Sequence, residues 1–331
     1  MTQKTDLIDS FGRKHDYLRI SLTDRCNLRC RYCMPQHPEW MPKNQLLTFE
    51  EIEQIAGIFI QSFGINKIRF TGGEPLVRSD FLNLFKSLSA YPVELGITSN
   101  ALLLNDTVLQ HFIDLRLHTL NISLDTLNPL KFYYLTRVDA FEKVWNNIQN
   151  ALKKNFHVKL NVVLMKGIND NELLAFAALT RNRHLDVRFI EFMPFSGNAW
   201  QKEKVYSYRN IMDELEKHYE LKPIHQNIHA TAKSYRIAGY TGSIGIISTV
   251  SEAFCRNCNR IRLTADGHLR NCLFTRDEIN LRDALRNGEE IEPLIRKAIA
   301  LKHKQHGGLP GFDKDTIHDE LSVRSMTAIG G

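Results

Sequence analysis

Six cysteines and their placement constrain this chain more than any other feature. Cys26, Cys30 and Cys33 fall within eight residues, Cys255, Cys258 and Cys272 within eighteen, and the 221 residues between Cys33 and Cys255 contain none. Pairing inside either group would leave one thiol over. Six cysteines in 331 residues are also far too few for a disulfide scaffold. Buried, inert thiols would not gather in two tight groups, so two metal readings remain. A closed zinc site takes four ligands; the first group would have to recruit His37 and the second His268. Iron–sulfur clusters are held by thiolates, commonly four. Three thiolates leave one iron open to a small molecule, which points to chemistry at both sites. Spacing puts iron–sulfur ahead of zinc without closing the choice.

Composition adds bounds. The 43 basic and 37 acidic residues give a net charge of +6, which suits a small anion as well as a nucleic acid. With 43% hydrophobic and 24% charged residues the chain reads as globular, and its length predicts roughly two domains. No apolar run approaches the ~18 residues of a membrane span. The first twenty residues carry three aspartates and no apolar block, so they do not read as a signal peptide. The expectation is a cytoplasmic protein with no membrane partner, in reducing surroundings that suit thiolate clusters.

Strand and helix patterns alternate through the first 195 residues. Tyr17–Ser21 alternates apolar and polar, and the first cysteines follow it. Thr48 with Glu51 forms a capping box before Ile52, Ile55, Ala56 and Phe59 at helical spacing. Strands are expected at 67–71, 94–98, 119–124, 158–164 and 187–192, with helices at 80–88, 102–112, 140–155 and 172–181. Six such units imply a parallel α/β sheet. No G-x-G-x-x-G opens the first helix, which disfavours a dinucleotide fold. The fold expected is α/β, a partial (βα)6 TIM-type barrel over 1–195, with its site at the carboxyl ends of the strands. Residues 196–331 form an α+β extension, with a helix at 210–219, short strands from Ser234 and helices near 281–286 and 294–302. Arg19, Lys67, Arg69, Lys159 and Arg188 lie on or beside core strands. Lone cations are rarely buried there without partners. They line a cavity for an anion, or they pair with acids such as Asp16, Glu74 and Glu191.

Cys26-x3-Cys30-x2-Cys33 after the first strand, with Tyr32 before the last cysteine, resembles the signature of radical S-adenosylmethionine enzymes. Gly72-Gly73-Glu74-Pro75 after the second strand fits as well. Cys255-Arg-Asn-Cys258-Asn-Arg260-Ile261-Arg262, then Cys272, together with the terminal Gly330-Gly331, is similar to the GTP 3′,8-cyclases of molybdenum cofactor biosynthesis. The resemblance covers nearly the whole chain. It implies two [4Fe-4S] clusters, on Cys26, Cys30 and Cys33 and on Cys255, Cys258 and Cys272. It implies that Tyr32, Gly73, Ser123 and Met193 bind S-adenosylmethionine, and that Arg19, Arg69, Thr98, Lys159, Arg260, Ile261 and Arg262 bind GTP. Gly330 and Gly331 would reach into the site and assist catalysis. The family reaction uses a 5′-deoxyadenosyl radical to take hydrogen from the ribose 3′ carbon, which then attacks guanine carbon 8. A homodimer, an unidentified electron donor and transfer of the product to the next pathway enzyme are also implied. Taken singly, the glycine pair is as readily a turn, Met193 core and Tyr32 packing.

Three other functions compete. A radical enzyme acting on a peptide would share the first cluster, although such enzymes usually carry more C-terminal cysteines. A zinc protein could bind nucleic acid through the basic stretch 256–270, whereas the cyclase reading needs no nucleic acid. A plain GTP-binding regulator lacks its G-x-x-x-x-G-K-[ST] loop.

Overall fold

The structure is a computed structural model that describes residues 4–35, 37–309 and 324–330. Its strands are β1 (Tyr17–Ser21), β2 (Lys67–Thr71), β3 (Glu94–Ser99), β4 (Thr119–Ser123), β5 (His157–Leu164), β6 (Leu185–Glu191), β7 (Leu221–Ile224), β8 (Lys233–Ile237), β9 (Ser243–Ile247), β10 (Arg260–Leu263), β11 (His268–Arg270) and β12 (Ile279–Asn280). Its α-helices are α1 (Phe49–Gln61), α2 (Phe81–Leu88), α3 (Asp106–Asp114), α4 (Pro129–Thr136), α5 (Phe141–Lys153), α6 (Leu173–Ala178), α7 (Tyr208–Glu216), α8 (Leu281–Arg286), α9 (Glu292–Ala300) and α10 (Met326–Ile329). The βα alternation read from the sequence is present. Three elements differ. Strand β7 (Leu221–Ile224) precedes the short strands expected from Ser234. Helix α3 starts at Asp106, because the Asn105 side chain caps it by accepting from the Val108 amide. Helix α4 was not expected; Asn128 caps it and Pro129 opens it, a start signal legible in the chain.

The chain forms two compact units that do not follow the 195/196 division. One joins residues 1–27, 33–98 and 255–331; the other joins 28–32 and 99–254.

In the first unit β1, β2 and β3 pair in parallel, β10 adds in parallel to the other side of β1, and β11 and β12 continue antiparallel. Alternation sorts the side chains. Leu18, Ile20, Ile68, Phe70, Ile261 and Leu263 are buried on one face, where Phe70 meets Phe81 and Phe85 of α2. The Thr48–Glu51 capping box of α1 is formed as expected.

In the second unit β4, β5, β6 and β9 are parallel, and β8 and β7 follow antiparallel. Leu120, Ile122, Val158, Leu160, Val187, Phe189, Ile244 and Ile246 make its buried apolar face. A second cluster of Leu135, Met165, Phe192 and Trp200 lies beyond the strand ends.

Candidate active site

The opposite face of the first unit is cationic. Parallel register places Arg19 beside Arg69 of β2 and beside Arg262 of β10, and Arg69 beside Gly96 of β3. One row therefore reads Arg262, Arg19, Arg69, Gly96. The next row reads Arg260, Tyr17, Lys67. A β-carbon at Gly96 would lie 3.2 Å from the Arg69 guanidinium, so glycine leaves room for that arginine.

The partners of these cations are mostly not acids. Arg69 donates to the Tyr17 hydroxyl (2.5 Å) and the Ile97 carbonyl (3.1 Å), and Arg262 to the Gly330 carbonyl (2.7 Å). Asp16 instead accepts from Asn66 and Asn259, and Glu191 accepts from the Val250 and Ser251 amides. Lys67 makes a salt bridge to Glu94 (2.5 Å). The electrostatic strain is visible. Burial, Arg69 and Arg260 bring Arg19 down to about 10, against the pull of Tyr17. Burial, Arg19 and Arg260 hold Arg262 well below the ordinary arginine value. Burial pushes the Tyr17 phenol up, but Arg69, Arg19 and Lys67 overcome it and hold it at about 8. Like charges crowded and buried on one sheet face are costly, and a bound anion would offset that cost.

At the carboxyl ends of β1 and β2 the tail docks. Gly330 is buried at φ +84°, and a β-carbon there would stand 2.4 Å from Thr71 Oγ1 and 2.9 Å from Ser21 Cβ. Only glycine fits so close an approach in that conformation. Among the described residues, the buried hydroxyls of Ser21, Thr71 and Thr98 have no hydrogen-bond partner. Orphaned polar atoms beside a cationic row are what a polyanionic ligand would satisfy. Gly331 lies outside the described residues. Gly72 and Gly73 answer to the backbone: a β-carbon on Gly73 would stand 2.3 Å from the Arg25 carbonyl oxygen, and its amide donates to Thr23 (2.7 Å). The pair thus packs against the entry to the first cysteine loop.

All six cysteines are half-buried. Burial raises the Cys255 thiol, the His306 backbone hydrogen bond lowers it, and Cys272 and Cys258 add to the rise, so these three sulfurs feel one another. Burial raises Cys258 as well, but Arg260 and Lys302 bring it down to about 6, which makes it a thiolate at neutral pH. A Cys255 sulfur that feels both Cys258 and Cys272, with Cys258 already anionic, is compatible with a thiolate-held cluster. Among the described residues no three His, Cys, Asp or Glu stand at the spacing of one metal ion. His268, the fourth ligand of the zinc alternative, pairs instead with Asp266 (3.1 Å). Sequence reasoning missed Arg13, whose guanidinium donates to the carbonyls of Cys255, His303 and Lys304 at 2.8–2.9 Å while held by Asp9. No sequence signal marks it.

The second unit carries Cys30, Tyr32, Ser123, Lys159 and Met193. A small pocket with about 30 Å³ of internal space is lined by Cys30, Tyr32, Asn100, Ser123, Asp125 and Phe132, among others; Met193 is not among its lining residues. Tyr32 donates to Asp125 (2.5 Å), whose other oxygen accepts from the Val163 amide (2.8 Å). Burial pushes the Asp125 carboxyl up to about 6, against those two bonds. Lys159 stands in register between Asn121 and Asp186 on the polar face, and Asp186 is also held by His157 and Ser243. Met193 accepts from Asn198 through its carbonyl (2.7 Å).

Comparisons with known proteins agree with this geometry. Residues 20–180 match the Radical SAM superfamily, and residues 185–308 match Molybdenum Cofactor Synthesis C. The mitochondrial GTP 3′,8-cyclase of Arabidopsis thaliana is 44% identical over 98% of this chain and 83% of its own length. The GTP 3′,8-cyclase of Rhodopirellula baltica is 42% identical over 100% of this chain and 94% of its own length. Human molybdenum cofactor biosynthesis protein 1 is 45% identical over 92% of this chain but only 49% of its own length, so the chain spans about half of that relative. The crystal structure of Streptococcus suis SuiB bound to S-adenosylmethionine superposes with a TM-score of 0.61 at 15% identity, over 89% of this chain and 70% of that one. That likeness shows the fold alone, the partial α/β barrel of radical enzymes. The chain belongs to the GTP 3′,8-cyclase family of the radical S-adenosylmethionine superfamily.

Proposed function

We propose that this chain converts GTP to (8S)-3′,8-cyclo-7,8-dihydroguanosine 5′-triphosphate, the first step of molybdopterin biosynthesis. The observation that carries the reading is the row Arg262, Arg19, Arg69, three in-register cations whose partners include a phenol and two carbonyls. A triphosphate is the anion such a row suits, since guanidiniums fork onto phosphate oxygens. Arg260 adds a cation from the next row, Ile261 between the two arginines turns its side chain into the apolar core, and Thr98 offers an unpartnered hydroxyl. Lys159 belongs to the same proposed set of nucleotide contacts.

Cys26, Cys30 and Cys33 would hold one four-iron cluster and Cys255, Cys258 and Cys272 a second. With S-adenosylmethionine bound, the first supplies a 5′-deoxyadenosyl radical. Tyr32 and Ser123 would position the methionine cofactor in the pocket beside Cys30, with Gly73 and Met193 as further contacts. The chain's own contribution is to fix the triphosphate so that one ribose hydrogen is presented, and to exclude water. Gly330 orients Arg262 through its carbonyl, and Gly331 follows it. In this reading residues 1–195 supply the radical chemistry and residues 196–331 the second cluster and nucleotide contacts. A homodimer, a separate electron donor and transfer of product to the next enzyme belong to the same proposal. So does a cytoplasmic setting; among the described residues no helix is long and apolar enough to cross a membrane.

The test is iron analysis with product identification. About eight irons per chain and a GTP-derived product of unchanged mass support the reading. Bound zinc in place of iron, or GTP recovered intact under reducing turnover conditions, would overturn it.

A further inference from the structure

The Lys302 ammonium touches a cysteine sulfur. The residue follows α9 and is only 4% exposed. Its Nζ lies 3.8 Å from Cys258 Sγ, donates to the Arg260 carbonyl (3.1 Å) and donates to the Asn271 carbonyl. No carboxylate among the described residues pairs with it. A buried ammonium requires a compensating charge, and the negative group within reach is the Cys258 sulfur. The two carbonyls matter equally. Arg260 lies two residues after Cys258, and Asn271 immediately precedes Cys272, so one ammonium ties together both segments that carry these thiols. The next two residues complete the clamp, because Arg13 bridges the His303 and Lys304 carbonyls to that of Cys255.

We infer that Lys302 is the positioning and charge-balancing residue of the second cysteine site. It holds the Cys258 and Cys272 segments together and keeps a fixed positive charge against the sulfur of Cys258. This rests on the second cluster of the proposed function. A cluster on three thiolates is anionic and gains further negative charge on reduction, so a buried cation beside it favours the reduced form. Losing that charge lowers the reduction potential; replacing it with another cation restores it.

The experiment uses the full chain with Cys26, Cys30 and Cys33 changed to alanine, so that only the second site holds iron. Lys302→Gln, Lys302→Met and Lys302→Arg are reconstituted anaerobically beside the unsubstituted background. Iron content and the midpoint potential are then measured by redox titration with electron paramagnetic resonance. About four irons in the background are expected. Lys302→Gln is expected to shift the potential downward and Lys302→Arg to stay at the background value. Lys302→Met is expected to shift the potential downward and to lose iron. If Lys302→Met fails to fold, the Gln and Arg variants decide. A Lys302→Gln protein with unchanged iron and unchanged potential overturns the role of Lys302 and leaves the second cluster standing. A background without iron overturns the second cluster and this role with it.

Discussion

The two units present polar sheet faces of opposite character. In the first, adjacent strands place Arg262, Arg19 and Arg69 side by side, and burial, reinforced by neighbouring guanidiniums, depresses Arg19 and Arg262. In the second, the corresponding row reads Asn121, Lys159, Asp186, Ser243, and the aspartate is held by His157 and Ser243. The second row is balanced by its own members. The first sets like charges side by side, an arrangement that a bound anion would offset. The difference teaches that folding and binding pull apart in the first unit and agree in the second.

The largest effect follows directly. Arg262→Met should weaken GTP binding by about a thousandfold, the loss of two charge-assisted bonds at roughly 2 kcal/mol each. The same change should raise the melting temperature of the ligand-free protein, since it removes a buried charge. Titration calorimetry and thermal denaturation read both; unchanged affinity, or a lower melting temperature, breaks the comparison.

The histidines sharpen it. His15 is fully buried against Asp9, whereas His157 is half-exposed against Asp186. Burial and the Lys302 charge hold His15 down at about 4, against the pull of Asp9. The unfolded chain therefore binds a proton that the folded chain refuses between about pH 6.5 and 4. Stability should be full above pH 6.5 and should fall as pH drops toward 4, by about 3 kcal/mol in total. Urea unfolding at several pH values tests this, and His15→Gln should flatten the slope over that window.

Placing an acid in the cationic row should act in the same sense as removing an arginine. Gly96→Asp, with its β-carbon 3.2 Å from the Arg69 guanidinium, should weaken GTP binding about tenfold, roughly 1.4 kcal/mol. The smallest effect is expected in the balanced row. Lys159→Met should change stability by no more than about 1 kcal/mol, because Asp186 keeps His157 and Ser243. A stability gain as large as that of Arg262→Met would erase the contrast.

Much of this was legible in the chain. Hydrophobic alternation placed Leu18, Ile20, Ile68 and Phe70 on one face and thereby put Arg19 and Arg69 on the other. The capping box fixed the start of α1. The register was not legible: that Arg262 comes to lie beside Arg19 depends on β10 returning next to β1 after more than two hundred residues. Tyr17 could have been found, since it shares the parity of Arg19. Helix α4 could also have been found from Asn128-Pro129. Arg13 and Lys302 could not, because carbonyl oxygens recognise them and carbonyls leave no trace in a sequence. Gly73 carried a family signature, and the structure adds a second reason for it in the approach of the Arg25 carbonyl.

The central claim is that the cationic row holds the triphosphate of a GTP used in radical chemistry. Anaerobically reconstituted protein with S-adenosylmethionine and dithionite tests it most directly, by measuring 5′-deoxyadenosine with GTP, ATP, CTP or no nucleotide. The account predicts a rise with GTP alone. Cleavage indifferent to GTP would contradict it, and would leave a radical enzyme whose substrate is not this nucleotide.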